Sequence, residues 1–130
     1  MLAIDTNVLI RLFVNDNTPQ HALVKSFFSK LGLGEQVFVS LVVTTELVWV
    51  LESAYGFDRE SIAEMIGLLL EAEQVSLQKS NAVYCALQMY RRGADFADAL
   101  ISALSEDAGC TATLTLDKRA VIKARMTHLG

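Results

Sequence analysis

The stretch LAIDTNVLIRL, Leu2 to Leu12, decides how the rest of the chain is read. Its first residues are apolar and end at Asp5, and Val8, Leu9, Leu12 and Phe13 then recur at helical spacing. The pattern predicts a short buried strand running straight into a helix. Asp5 falls just past the strand's carboxyl end, with Thr6 and Asn7 beside it, where open α/β sheets hold their ligands. Asp5 also has the chemistry of a helix N-cap, because its side chain can accept a hydrogen bond from the first turn. What separates the two readings is whether other carboxylates arrive at the same place.

Working outward, Thr18 followed by Pro19 predicts the start of a second helix to about Lys30, with Leu23, Phe27 and Leu31 as its apolar stripe. Val37 to Val39 is a β-branched run, and Ser40 caps a long helix reaching Tyr55. Within that helix Leu47, Val50, Leu51 and Ala54 mark a core side, and Glu46 lies on or beside it, which predicts a buried carboxylate. Glu46 sits too far into the helix to be a cap, so burial would require a distant Arg or a cation as partner. Trp49 is expected to pack in the core or at a subunit interface.

Asp58 caps the next helix, whose apolar face is Ile62, Met65, Ile66, Leu69 and Leu70. Val75 to Leu77 reads as a strand and Ser80 opens a helix to about Arg92, with Val83, Leu87 and Tyr90 inward and Gly93 as C-cap. In ADFADALISAL, Ala94 to Leu104, Asp95 caps a helix whose third position is Asp98, and Leu100, Ile101 and Leu104 form its inner side. Capping and the helix dipole can each explain one acid there, but two exceed what capping needs. Thr111 to Leu116 alternates as a strand that delivers Asp117 to its carboxyl end, ahead of a basic last helix and a terminus prone to disorder at His128. Strands alternating with helices predict an α/β fold with a mainly parallel sheet covered on both faces, in which Asp5 and Asp117 share one rim.

Composition narrows the function. A chain of 130 residues with 52% hydrophobic content fits one domain with a sizeable core. No basic leader precedes an apolar run, and no uninterrupted apolar segment approaches the roughly 20 residues that span a bilayer, so a soluble cytoplasmic protein is expected. Cys85 and Cys110 lack metal-ligand spacing and are expected to be buried small hydrophobes. Net charge is −4, which argues against a broad basic surface for nucleic acid. The charge is uneven: residues 1 to 78 hold four Lys or Arg against ten Asp or Glu, and residues 79 to 130 hold seven against five. Arg91 with Arg92, and Lys118, Arg119, Lys123 and Arg125, are either solvated helix charge or a phosphate-facing patch.

Four acids, Asp5, Glu46, Asp98 and Asp117, are therefore candidates for one site. Clustered carboxylates repel and raise one another's pKa unless a divalent cation neutralises them, and oxygen ligands suit Mg²⁺ or Mn²⁺. DTNVLIRL at Asp5, TTELVWVL around Glu46, DFADALISA around Asp98 and TLD at Asp117 resemble, in order and spacing over essentially the whole chain, the four motifs of PIN-domain ribonucleases. The resemblance is strongest to the toxin halves of VapBC-type toxin and antitoxin pairs. It implies a Rossmann-like PIN fold as a single domain over residues 1–130, with Asp5, Glu46, Asp98 and Asp117 as acidic metal-binding and catalytic residues. It also implies supporting roles for Asn7, Asp95 and Thr115. The activity implied is Mg²⁺-dependent endoribonuclease cleavage of RNA, with Mn²⁺ as a substitute. The partners implied are RNA, a cognate antitoxin protein and a second copy in a homodimer.

Three other readings compete with it. A metal-dependent phosphatase on a similar sheet needs a second acid two residues after the nucleophilic Asp, where this chain has Asn7. A phospho-accepting receiver domain would want paired acids after the first strand and a lysine ending a late strand. A non-catalytic module would keep the acidic pocket only to dock a basic peptide, and metal-dependent turnover separates it from a nuclease.

Overall fold

A computed structural model describes residues 1–130, and its chain gathers into two units. The first comprises Met1–Phe57 and Leu68–Gln78. It holds β1 (Leu2–Ala3), α1 (Thr6–Phe13), α2 (Pro19–Ser29), β2 (Val37–Val39), α3 (Leu41–Ser53) and β3 (Val75–Leu77). Its three strands pair in the order β1-β2-β3, all parallel, with Leu2 opposite Val37 and Val37 opposite Val75. Central β2 has Val37 and Val39 fully buried. Strand β1 borders only β2 in this sheet, and Leu2 is 65% exposed, so the expected buried first strand is instead a two-residue edge.

Local chemistry explains the helix starts. The Asp5 side chain accepts from Val8 N–H, Thr18 from His21 N–H with Pro19 at the first helical position, and Ser40 from Val43 N–H. Helix α3 buries Thr44, Leu47, Val48 and Leu51, a face spaced at three and four residues. Glu46 lies off that face and is exposed, which corrects the expected burial. The cause is that α3 is apolar nearly all round, LVVTTELVWVLES, so its pattern selects no single face. Val42 and Trp49 point out of the core for the same reason. Helix α2 buries no residue fully, and Leu23 of its expected stripe is exposed.

The second unit comprises Asp58–Gly67 and Lys79–Gly130. Helix α4 (Arg59–Glu71) begins in it, followed by α5 (Ser80–Arg91), α6 (Phe96–Asp107), β4 (Leu114–Thr115), α7 (Lys118–Lys123) and β5 (Thr127–His128). Its core is the α5 and α6 pair: Val83, Ala86, Leu87 and Tyr90 are buried on one helix and Phe96, Ala99, Leu100 and Ala103 on the other. Small alanines on both faces let the two backbones approach closely. Ile101 faces outward, contrary to expectation, and Ser102 and Ala103 take the inner positions. Gly93, at φ 107, supplies the left-handed residue that ends α5. Cys85 and Cys110 are exposed rather than buried; Cys85 lies between the inward positions Ala82 and Ala86, and Cys110 follows the α6 C-cap.

Strand β4 is shorter than the expected Thr111 to Leu116, and it pairs in parallel with β5. The terminus around His128 is thus a strand, held by Thr127 N–H on Thr113 O and Leu129 N–H on Thr115 O. Two residues carry no readable period, so β5 left no trace in the pattern. Every ladder in the molecule is parallel and seven helices accompany the strands, as an α/β fold requires, but the strands form two sheets rather than one. No helix is long and apolar enough to cross a membrane.

Candidate active site

In the first unit, the helix that follows β1 starts on Asp5. Its Oδ1 accepts from Val8 N–H at 3.1 Å. The hydroxyl of the next residue, Thr6, donates to Glu46 Oε1 at 2.9 Å. That bond ties the first turn of α1 to the second turn of α3 and sets Glu46 beside the Asp5 cap. Asn7, one residue on, is exposed and lines a shallow depression with Arg11, Gln20 and Leu23.

In the second unit three acids stand at helix starts, near enough for Asp95 and Asp117 to act electrostatically on Asp98. Asp95 caps α6 through Oδ2, which accepts from Asp98 N–H at 3.0 Å. Asp117 caps α7 through Oδ1, which accepts from Arg119 N–H at 2.9 Å, and Thr115 Oγ1 in turn accepts from Asp117 N–H at 3.0 Å. Asp98 itself is half-buried. Burial raises its carboxyl above the ordinary value of 3.8, and the negative charges of Asp95 and Asp117 raise it further.

Capping and ligand binding are therefore compatible. At Asp5, Asp95, Asp117 and Glu46 one carboxylate oxygen accepts a protein hydrogen bond, while the other accepts none. The held oxygen fixes the rotamer and the second is left to a ligand. A donor set made only of carboxylate oxygens suits a hard divalent cation such as Mg²⁺ or Mn²⁺ and would relieve the repulsion on Asp98. No three His, Cys, Asp or Glu side chains already stand as a group that could hold one. The pattern reading missed the Thr6 hydroxyl as Glu46's partner; its signal is a hydroxyl at the first helical position directly after a candidate acid.

The PIN domain pattern matches residues 2–125, a span that runs through both units and includes all four main acids. The chain belongs to the PIN-domain family. It is also similar to a VapC ribonuclease of Aquifex aeolicus (strain VF5), with 29% identity over 121 residues that cover 92% of this chain and 89% of that protein.

Proposed function

We propose that this protein is a metal-dependent endoribonuclease that hydrolyses RNA phosphodiester bonds, and that it is the toxin of a toxin and antitoxin pair. Asp5, Glu46, Asp98 and Asp117 are its acids in this reading, with Asn7, Asp95 and Thr115 in support. The observation that carries it is the set of carboxylates held by one oxygen and open at the other, within a chain that matches the PIN pattern almost from end to end. Similarity to a VapC ribonuclease supports RNA as the substrate class and an antitoxin protein as partner.

The residues divide the work by their surroundings. Asp5 and Asp117, fixed by their own helix starts, present carboxylates that need no reorganisation when a ligand arrives. Thr6 fixes one oxygen of the exposed Glu46 carboxylate. Asp98, half-buried and accepting no hydrogen bond of its own, is the acid with most to gain from a bound cation. When present, Mg²⁺, or Mn²⁺ in its place, acidifies water and stabilises charge on the scissile phosphate. An acidic protein and an anionic substrate are reconciled in that way. Exposed Val42 and Trp49 on α3 are apolar surface that supports a homodimer, and size-exclusion chromatography with light scattering checks it.

The direct test is cleavage of end-labelled tRNA and rRNA by the purified protein in Mg²⁺, in Mn²⁺ and in EDTA, beside Asp5→Asn and Asp98→Asn. Discrete cuts that vanish with EDTA and in both variants are expected. Cutting that survives in Asp98→Asn would mean a contaminating nuclease and a wrong site.

A further inference from the structure

The turn between α5 and α6 has to do two things at once. It reverses the chain through Arg92, Gly93 and Ala94, and it presents Asp95 and Asp98 at the start of α6. A helix end leaves carbonyls without intrahelical donors, and a short turn cannot satisfy all of them. Here Tyr90 O accepts from Gly93 N–H at 3.0 Å, and one side chain from 31 and 35 residues away in sequence adds a second hold: Arg59 Nη1 donates to Tyr90 O at 2.8 Å and to Ala94 O at 2.5 Å. Its guanidinium also lies over the Tyr90 ring, 4.3 Å from the centroid, and Tyr90 packs edge-on against Phe96 at 5.8 Å. Tyr90 and Ala94 are fully buried. Ala94 immediately precedes the Asp95 cap, so Arg59 fixes the peptide from which both acids of α6 are hung.

A second cation holds the same turn from its exposed side. Lys123 Nζ reaches Arg92 O at 3.4 Å and lies so close to Gly93 that a side chain there would touch it. Lys123 is the last residue of α7, the helix that Asp117 caps. The turn that carries Asp95 and Asp98 is thus linked to the helix that carries Asp117.

We propose that Arg59 is a positioning residue for the acidic site, with Lys123 as a weaker second anchor: it sets Asp95 and Asp98 in place relative to Asp117 through the carbonyls of Tyr90 and Ala94. This rests on the reading of those acids as the cation site. A lysine at 59 keeps the charge but loses the planar guanidinium over Tyr90 and its fixed pair of N–H bonds. Residues that only support metal ligands typically cost about 10- to 100-fold in metal affinity when removed.

The experiment compares Arg59→Lys, Lys123→Met, Asp98→Asn and Ile62→Val, the last trimming a fully buried residue of α4 that makes none of the hydrogen bonds to the turn. Mn²⁺ affinity is read by water-proton relaxation, amide hydrogen exchange over residues 94–99 by mass spectrometry, and kcat and KM on one RNA. Arg59→Lys is expected to weaken Mn²⁺ about 10-fold, speed exchange in that segment and lower kcat about 10-fold with KM within twofold. Lys123→Met, on the surface, is expected to show the same pattern at about threefold. Ile62→Val is expected to lower Tm alone. Arg59→Lys with wild-type Mn²⁺ affinity and exchange, beside an inactive Asp98→Asn, would overturn the positioning role. So would an Ile62→Val that loses Mn²⁺ as strongly as Arg59→Lys. Full cleavage by Asp98→Asn would instead remove the functional reading on which the proposal stands.

Discussion

The two units carry their acids under different conditions. In the first, Asp5 and Glu46 are exposed and joined through Thr6, and each accepts one hydrogen bond. In the second, Asp98 is half-buried beside Asp95 and Asp117, and its carboxyl is pushed up by burial and by both neighbours. The first pair lies open to solvent. The second is held together against its own repulsion by a well-packed turn. Affinity for a cation and stability of the empty protein should therefore pull in opposite directions in the second unit and be nearly independent in the first.

The largest effect that tests this contrast is Asp98→Asn. Cleavage is expected to fall by more than about 100-fold, beyond what a merely supporting residue costs. In EDTA the same variant should melt at a higher temperature than wild type at pH 7, because it removes a desolvated, repelled charge. A lower Tm would break the contrast. Asp5→Asn should match the loss of cleavage but leave Tm unchanged, since Asn caps a helix as well as Asp does. Asp5→Ala should add a loss of about 1 kcal/mol for the missing cap, measurable by urea unfolding.

Thr6→Val is a smaller probe. It removes the hydroxyl from Glu46 Oε1 while keeping the shape, and cleavage should drop about 10-fold with Mn²⁺ affinity falling in step. Equal cleavage would mean that Glu46 holds its place without Thr6.

The smallest effect is in pH dependence. Asp98 binds its proton more tightly folded than unfolded, so its contribution favours the folded state fully below the ordinary value of 3.8. That contribution is lost as pH rises through the higher folded value, and a cost remains at neutral pH. The stability difference between metal-free wild type and Asp98→Asn should consequently open between pH 3.8 and neutrality and close below it, read by denaturant melts at successive pH values.

What the chain disclosed in advance follows from where its signals are local. Asp5, Asp95 and Asp117 were legible because a cap speaks through the three residues after it, and all three caps form. Glu46 is exposed rather than buried, which was not legible because the all-round apolar α3 does not say which face turns inward. Strand β5 is too short to show alternation, and with it the division of strands between two sheets was invisible. Arg59 was silent for a different reason. Its partners are backbone carbonyls far along the chain, and a carbonyl has no sequence signature.

The pairing of β4 with β5 has a consequence for the order in which the molecule is made. A ribosome delivers Leu114 to Asp117 before Thr127 to Leu129, yet it is the later residues whose amides hold the earlier ones. The arm that bears Asp117 thus closes only when amides about 14 residues further along are in place, whereas Asp5 is capped by Val8, three residues on.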